Sequence, residues 1–350
     1  MDLVGHLIKD HEAWNAINKQ ILPKTLDITT IVNEFATKSP FLLRNSSILC
    51  RISPFSTKNK INLQEYINEV LMVKPGWKDF FENDRVIDEI TSIEEVLNDE
   101  FERGYTIFPS RHNIFRIFKL LSPDEIKVVI LGQDPYISTI KGLKHDQPNG
   151  SDKKYTKINN FVFDSSDENS VPSACGLAFS SPLDKVRPSL RNIMAEVKRT
   201  EGCYDSSTSG DLISWVAQGV FLLNVLLTCR VEETDMGMKG ISNSHKMWKG
   251  FAIHVLNYIS KVNDTIVIML WGNEAKIIGN HVISKHHKLE SVHPVSRGST
   301  MFIGNGHFRI ANKILREKNI KEIDWKLNGK IYDSMYCTSN EDIKYCRILK

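Results

Sequence analysis

Four places in the sequence bring an apolar run to an end on polar residues with useful chemistry. Val128-Val129-Ile130-Leu131-Gly132 leads into Gln133 and Asp134, and Val220-Phe221-Leu222-Leu223 leads into Asn224. Thr265-Ile266-Val267-Ile268-Met269-Leu270-Trp271 runs into Gly272 and Asn273, and Leu289-Glu290-Ser291-Val292 runs into His293. An acid can orient water, a planar amide can read a polar edge, a glycine turn offers backbone donors to phosphate, and an imidazole can stabilise developing charge. Pro135 disfavours the helical conformation at Asp134, which places the carboxylate in an extended or turning loop. No Ser or Cys stands with a base in a nucleophile motif, and neither a Gly-rich phosphate fingerprint nor metal-ligand spacing occurs. The set favours a hydrolytic or eliminative reaction that needs no metal and no cofactor.

These residues can cooperate only if the elements that carry them converge. Apolar runs ending at turn signals read as buried strands. Between them lie helical patterns: Leu190, Ile193, Met194 and Val197 after the helix-start pair Pro188-Ser189, a run from Asp211, and the strongly amphipathic set Met247, Trp248, Phe251, Ala252, Val255, Leu256 and Ile259. A helix follows through Ile277 and Val282, and another from about Asn305 to Lys318. Before the first strand, Val86, Ile87, Ile90, Val96 and Leu97 are expected to face inward from one helix, with a second helical run near Phe115. The alternation predicts an α/β fold, a central mostly parallel four-stranded sheet flanked by helices on both faces. In such sheets ligands bind outside the carboxyl ends of the strands, so the four polar ends should meet.

The remaining segments divide the chain. Residues 1–75 read as a partly helical N-terminal extension, with Ile28, Ile31, Val32 and Phe35 on one face and Leu63, Ile67, Val70 and Leu71 on another. Such faces need a partner, which makes the extension a small folded region against the main domain at 76–326. Residues 137–172, rich in Ser, Asn, Asp, Lys and Gly, read as a surface insertion in which Phe161-Val162-Phe163 could be an anchor. Residues 327–350 form a C-terminal tail.

The chain of 350 residues is long enough for a sizeable core, and 41% hydrophobic with 25% charged residues is ordinary globular composition. A formal net charge of +3 is too small to argue for nucleic acid by itself, so any such partner must be recognised by a local site. Six scattered cysteines without Cys-x-x-Cys spacing read as free buried thiols. No apolar run approaches the roughly 20 residues of a membrane span, and the N-terminus lacks secretory and transit-peptide character. The expected location is intracellular, in nucleus or cytoplasm.

From about Trp77 to Trp325 the chain resembles a family 1 uracil-DNA glycosylase, through several separated motifs in order. Gly132-Gln133-Asp134-Pro135-Tyr136 resembles the water-activating loop, and Gly176-Leu177-Ala178-Phe179-Ser180 the uracil-stacking segment. Pro188-Ser189-Leu190 resembles the end of the proline-rich loop, and Leu222 to Arg230 the uracil-recognition strand. Leu270-Trp271-Gly272-Asn273-Glu274-Ala275 is similar to the Gly-Ser loop, and His293-Pro294 to the start of the DNA-intercalation loop. The resemblance implies excision of uracil from DNA, leaving an abasic site, in base-excision repair. It implies that Asp134 orients water and His293 stabilises the leaving uracil anion. Phe179 would stack on the flipped base, Asn224 would pair with its edge and Tyr136 would exclude the methyl group of thymine, with Gln133 contacting a uracil carbonyl. Pro188, Ser189, Gly272, Asn273, Ser296 and Arg297 would contact DNA. Without the motif, Phe179 would read as a core side chain, Asn224 as a turn cap and Ser296 as an ordinary turn residue.

Three departures stand out. The residue after Tyr136, usually a histidine that touches phosphate, is Ile137, with Lys144 and His145 of the insertion as candidate substitutes. The intercalating leucine aligns with Arg297, which can still fill the gap by stacking, as in poxviral members, or be a surface residue. The loop between Arg230 and Asn243 is longer than usual. These departures suggest a divergent, viral-type member. They also keep a second hypothesis open, a DNA-binding scaffold or processivity subunit, and the extension offers a surface for a replication or repair protein. A pure binding module would not need both Asp134 and His293.

Overall fold

The computed structural model describes residues 60–109, 111–137, 139–141, 170–172, 174–181, 187–202, 210–234, 237–282, 285–296 and 301–327. The expected helix around Ile28 to Phe35, the insertion residues Lys144, His145 and Phe161 to Phe163, Arg297 and the tail beyond 327 lie outside them.

In chain order the first elements are α1 (Leu63–Val73), α2 (Lys78–Phe81), α3 (Asp84–Glu102), β1 (Thr106–Phe108), α4 (Arg116–Leu120) and β2 (Val128–Gly132). Then come β3 (Thr139–Lys141), β4 (Ser170–Pro172), α5 (Pro188–Glu201), α6 (Ile213–Val216), β5 (Val220–Asn224), β6 (Cys229–Thr234) and β7 (Gly237–Gly240). The last are α7 (Trp248–Val262), β8 (Val267–Trp271), α8 (Asn273–Gly279), β9 (His287–Ser291) and α9 (His307–Glu317).

The central sheet has four strands in the order β5-β2-β8-β9, and every pairing in it is parallel. Val128, Val129, Ile130 and Leu131 of β2 are all 0% exposed, and the corresponding apolar residues of β5 and β8 are buried as well. A strand buried on both faces can carry apolar residues at every position, which is why these runs do not alternate. The outer strand β9 reads His-Lys-Leu-Glu-Ser and is only partly buried, as an edge strand tolerates. Helices cover both faces. On one, Trp77, Phe80, Phe81, Phe115, Phe118 and Phe251 pack largely edge to face, and the Trp77 indole donates to the Leu121 carbonyl at 2.8 Å. On the other, Trp215, Phe308 and Trp325 pack together, the Trp215 indole donating to the Trp325 carbonyl at 3.1 Å. Among the described residues no helix is long and apolar enough to cross a membrane.

Helix α1, the described end of the expected extension, is part of this core. Asn62 caps it by accepting the Glu65 N–H at 3.1 Å. Leu63, Tyr66, Ile67 and Val70 are buried, each contributing roughly 1.5–3 kcal/mol. Asn98 of α3 pairs with both backbone groups of Ile61, so the chain entering α1 is tied to α3.

The structure corrects three local expectations. In α3 the inward stripe is Val86, Ile90, Ile93 and Leu97, while Ile87 and Val96 are 41% and 43% exposed. At 3.6 residues per turn each lies one step off the buried stripe. Helix α8 ends at Gly279, short of Val282, and its Ile277 is 51% exposed. The segment after Arg230 is not a loop but the antiparallel pair β6–β7, which joins β1 in a separate three-stranded sheet. A further two-stranded ribbon, Thr139–Lys141 against Ser170–Pro172, brings together the two ends of the insertion.

Candidate active site

Parallel order puts the carboxyl ends of β2, β5, β8 and β9 on one side, and the loops leaving them build a pocket. Gly132, the last residue of β2, lies opposite Asn224, the last of β5. A Cβ on Gly132 would come 2.3 Å from the Asn224 Oδ1 and 2.9 Å from the Ala178 Cβ, so glycine is what lets the amide lie across the strand end. The pairing continues beyond the strands, with Val225 N–H donating to the Gly132 carbonyl and Leu226 N–H to the Gln133 carbonyl, both at 2.9 Å. The loops bearing Asp134 and Asn224 are thereby held at a fixed spacing.

Asp134 follows at once. Its Oδ2 accepts the Asn243 backbone N–H at 3.0 Å and the Ser242 hydroxyl. The Gln133 side chain donates to the Asn243 Oδ1 at 3.2 Å. Asn243 has φ of 59°, a left-handed conformation that asparagine tolerates better than most residues.

Tyr136 is fixed by two bonds. Its hydroxyl lies 2.8 Å from the Phe179 carbonyl and 2.9 Å from the Ser189 Oγ. A carbonyl only accepts, so the phenolic proton goes to Phe179 and Ser189 donates to Tyr136. Burial pushes the phenol well above its ordinary range, so it stays protonated. The Arg187 guanidinium lies 5.9 Å from the Tyr136 ring centroid.

The segment that carries Phe179 is pinned along its length. Arg116 donates to the Cys175 carbonyl at 3.0 Å, and Ala178 N–H donates to the Leu222 carbonyl of β5 at 3.1 Å. Phe179 itself has φ of 61°, an uncommon conformation for a bulky residue that the surrounding contacts must enforce. Its ring lies 5.5 Å from Trp271 and 6.1 Å from His293.

His293 is held mainly by packing. Gly272 has φ of 98°, and a Cβ there would lie 3.0 Å from the His293 Cβ. The Val295 N–H donates to the His293 Nδ1 at 3.3 Å, which leaves Nε2 to carry the proton of the neutral ring. Burial pulls the imidazole below its ordinary value, against the opposing charge of Asp134, so the ring is neutral at pH 7. The turn is closed by the Ser296 N–H on the His293 carbonyl at 3.0 Å and by the Asn192 side chain of α5 on the Pro294 carbonyl at 2.6 Å.

The resulting pocket has a volume of roughly 200 Å³ and is lined by Gln133, Asp134, Tyr136, Phe179, Asn224 and His293, all six predicted catalytic and base-binding residues. It is smaller than the roughly 300 Å³ at which drug-sized sites begin, and so suits one small ring. Of the predicted DNA-contacting residues that the structure describes, only Ser189 lines it. That residue is 6% exposed, with its single proton committed to Tyr136. Pro188 opens α5, Gly272 and Asn273 open α8 behind His293, and Ser296 closes the His293 turn. Sequence reading missed Ser242 and Asn243, whose only signal was a polar Ser-Asn-Ser run. It also missed Cys175, a lining thiol that burial pushes up and so keeps unreactive. Among the described residues no group of three or more His, Cys, Asp or Glu could hold a metal ion.

No protein-family model matches the chain. It is 35% identical over 260 residues to a uracil-DNA glycosylase of Francisella philomiragia, covering 72% of this chain and 100% of that protein. The uracil-DNA glycosylase of Francisella tularensis is 34% identical over 261 residues, covering 72% and 98%. Among solved structures, the mimivirus uracil-DNA glycosylase superposes with a TM-score of 0.61 at 26% identity, covering 77% of this chain and 90% of that one. A variant of the same enzyme with one tyrosine replaced by phenylalanine, in complex with UGI, gives 0.60 at 27% identity, covering 77% and 92%. A relative matched end to end at this identity, a shared fold, and a ring-sized pocket at the ends of the parallel strands lead to one statement: the chain belongs to the uracil-DNA glycosylase family.

Proposed function

We propose that this protein hydrolyses the N-glycosidic bond of deoxyuridine in DNA, releasing uracil and leaving an abasic site, with Asp134 and His293 as its catalytic residues. The observation that carries the assignment is the convergence of Asp134, Phe179, Asn224 and His293, from separate parts of the chain, on one pocket of roughly 200 Å³. A base must leave the stack to enter such a pocket. There Phe179 supplies the stacking face. The Asn224 amide offers a donor and an acceptor to the uracil edge and rejects cytosine, whose exocyclic amine reverses the pattern. Tyr136, fixed by Phe179 and Ser189, stands against the ring carbon that bears the methyl of thymine.

As the bond breaks, positive charge develops on the sugar and negative charge on the base. The Asp134 carboxylate stabilises the first and orients the attacking water, a division of labour known from glycoside hydrolysis. The neutral His293 donates its Nε2–H to the anionic oxygen of uracil, and the donor is in place before the charge appears. Outside the pocket, Pro188, Gly272, Asn273 and Ser296 position DNA through phosphate contacts, and Ser189 adds its backbone N–H in the first turn of α5; Arg297 contributes a stacking contact to DNA. The extension engages a replication or repair protein, a reading supported by the helical spacing of the apolar residues Ile28, Ile31, Val32 and Phe35 in its sequence. The enzyme acts inside the cell, where that DNA is replicated.

The test is incubation with a single-stranded oligonucleotide containing one uracil, followed by alkaline cleavage, with thymine and cytosine controls. A uracil-dependent cut is expected. Folded protein that gives no such product, or none beyond that of an Asp134→Asn variant, overturns the proposal. Asn224→Asp is expected to relax the preference for uracil over cytosine, and an unchanged preference removes Asn224 from its role.

A further inference from the structure

Asp134 meets a loop that belongs to none of the strand ends described above. That loop, residues 241–245, leaves the β6–β7 hairpin and leads into α7, and its base is fixed by a buried polar network. Ile241 N–H donates to the Arg230 carbonyl at 2.7 Å, and Arg230 N–H donates to the Ser244 hydroxyl at 2.8 Å. The Arg230 guanidinium pairs with Glu100 of α3, which is 4% exposed and lies 2.8 Å from the His245 Nε2. A carboxylate only accepts, so Nε2 carries the imidazole proton. Burial keeps the His245 ring neutral, and its Nδ1 therefore accepts from the Thr228 hydroxyl at 2.6 Å. Thr228 in turn accepts the Trp248 indole N–H at 2.7 Å. These side chains are linked by hydrogen bonds in a continuous chain, and such a network holds the base of the loop.

At the tip of the loop the situation changes. Ser242 is exposed to solvent, lines the pocket, and points its hydroxyl at the Asp134 Oδ2, the oxygen that also receives the Asn243 N–H. An exposed serine contributes little to folding. Two donors on one oxygen of a carboxylate fix its plane and leave the other oxygen for water.

We propose that Ser242 is a positioning residue for the reaction: its hydroxyl, with the Asn243 N–H, clamps the Asp134 Oδ2 and reserves Oδ1 for the attacking water. The inference rests on the uracil-excision reading in which Asp134 orients water. It adds to that reading a residue on a loop no strand-end argument reaches, and one that acts on the chemical step rather than on base binding.

The experiment is single-turnover excision from the uracil oligonucleotide by the full chain, comparing wild type, Ser242→Ala, Ser242→Thr, Asp134→Asn and the Ser242→Ala/Asp134→Asn double variant. Ser242→Ala is expected to lower the maximal rate roughly tenfold, the scale of one charge-assisted hydrogen bond. The substrate concentration at half-maximal rate and the unfolding temperature should not change, and Ser242→Thr, which keeps the hydroxyl, should recover most of the rate. In the Asp134→Asn background the alanine substitution should cost nothing further. Wild-type rate in Ser242→Ala, or an equal loss in both backgrounds, overturns the inference while leaving the role of Asp134 intact. Wild-type rate in Asp134→Asn overturns the assignment of Asp134 itself and this inference with it.

Discussion

Asp134 and His293, the two residues proposed as catalytic, line one pocket but are held by opposite means. Asp134 is held by hydrogen bonds, two of them on a single oxygen, from a loop rooted in a polar network. His293 is held by apolar and steric contact, with Phe179 and Trp271 nearby, Gly272 against its Cβ, and one long bond from Val295. The difference follows from what each residue must be. A carboxylate beside a pocket needs donors to replace the water it loses, whereas a neutral imidazole needs only the absence of solvent. The same pocket can therefore present an anion and a neutral donor together.

The largest effect expected from breaking this contrast is at the charged side. Asp134→Asn preserves the shape but removes the charge that the Ser242 hydroxyl clamps, and the single-turnover rate should fall by about two to four orders of magnitude with little change in uracil binding. A rate within about tenfold of wild type would remove the Asp134 charge from the role proposed for it, and the clamp on it would lose its catalytic purpose. On the packed side, Gly272→Ala pushes a methyl against His293 and asks alanine to adopt φ of 98°. A strain of about 1–3 kcal/mol, relieved by moving His293 or the start of α8, should slow excision roughly 5- to 150-fold. The corresponding alanine substitution at an open glycine, Gly104, which has positive φ but nothing near its Cβ, serves as the control for backbone strain alone.

Acid should loosen the packed side first. Trp271, which backs Phe179, donates its indole N–H to the Nδ1 of His307 at 3.0 Å. Burial pulls His307 down to about 4, opposed by the Glu196 charge and a backbone bond. Because the folded value lies below the unfolded value of about 6.5, the stability that goes with a neutral His307 is complete above pH 6.5 and is lost as pH falls from there toward 4. The loss is on the order of 3 kcal/mol, and unfolding in urea at about pH 7, 5.5 and 4 measures it. His307→Gln should flatten that slope, and an unchanged slope would place the acid sensitivity elsewhere.

The contrast also explains what the sequence could disclose. The parallel sheet was legible because strands buried on both faces carry apolar residues at every position, and the runs of β2 and β5 stop where a polar residue reaches the pocket. That logic located Gln133, Asp134, Asn224, Gly272 and His293 from residue types alone. The family resemblance supplied Tyr136 and Phe179, which no periodicity singles out. The clamp on Asp134 was not legible. It depends on the β6–β7 hairpin, where Gly237-Met238-Lys239-Gly240 has no alternation to announce a strand, and on a network whose members Glu100, Thr228, Arg230 and His245 are drawn from separate elements. Ile87 and Val96 of α3 were misplaced for a simpler reason, since an apolar residue one step off the buried stripe is indistinguishable by type from one on it.

The smallest expected effect is the most specific, because it asks whether the two sides sense each other. The Asp134 charge raises His293 against the larger lowering by burial. Removing that charge in Asp134→Asn leaves burial unopposed, so His293 should titrate at a still lower pH than in the wild type. Nitrogen-resolved NMR of the imidazole follows the titration and also reports which nitrogen carries the proton. With Val295 N–H on Nδ1, the neutral ring should be the Nε2–H form in both proteins. An upward shift in Asp134→Asn would mean that the substitution had opened the pocket to water, so that lost burial outweighed lost charge. The packed side would then depend on the clamped side for its dryness, and the two modes of support would be one.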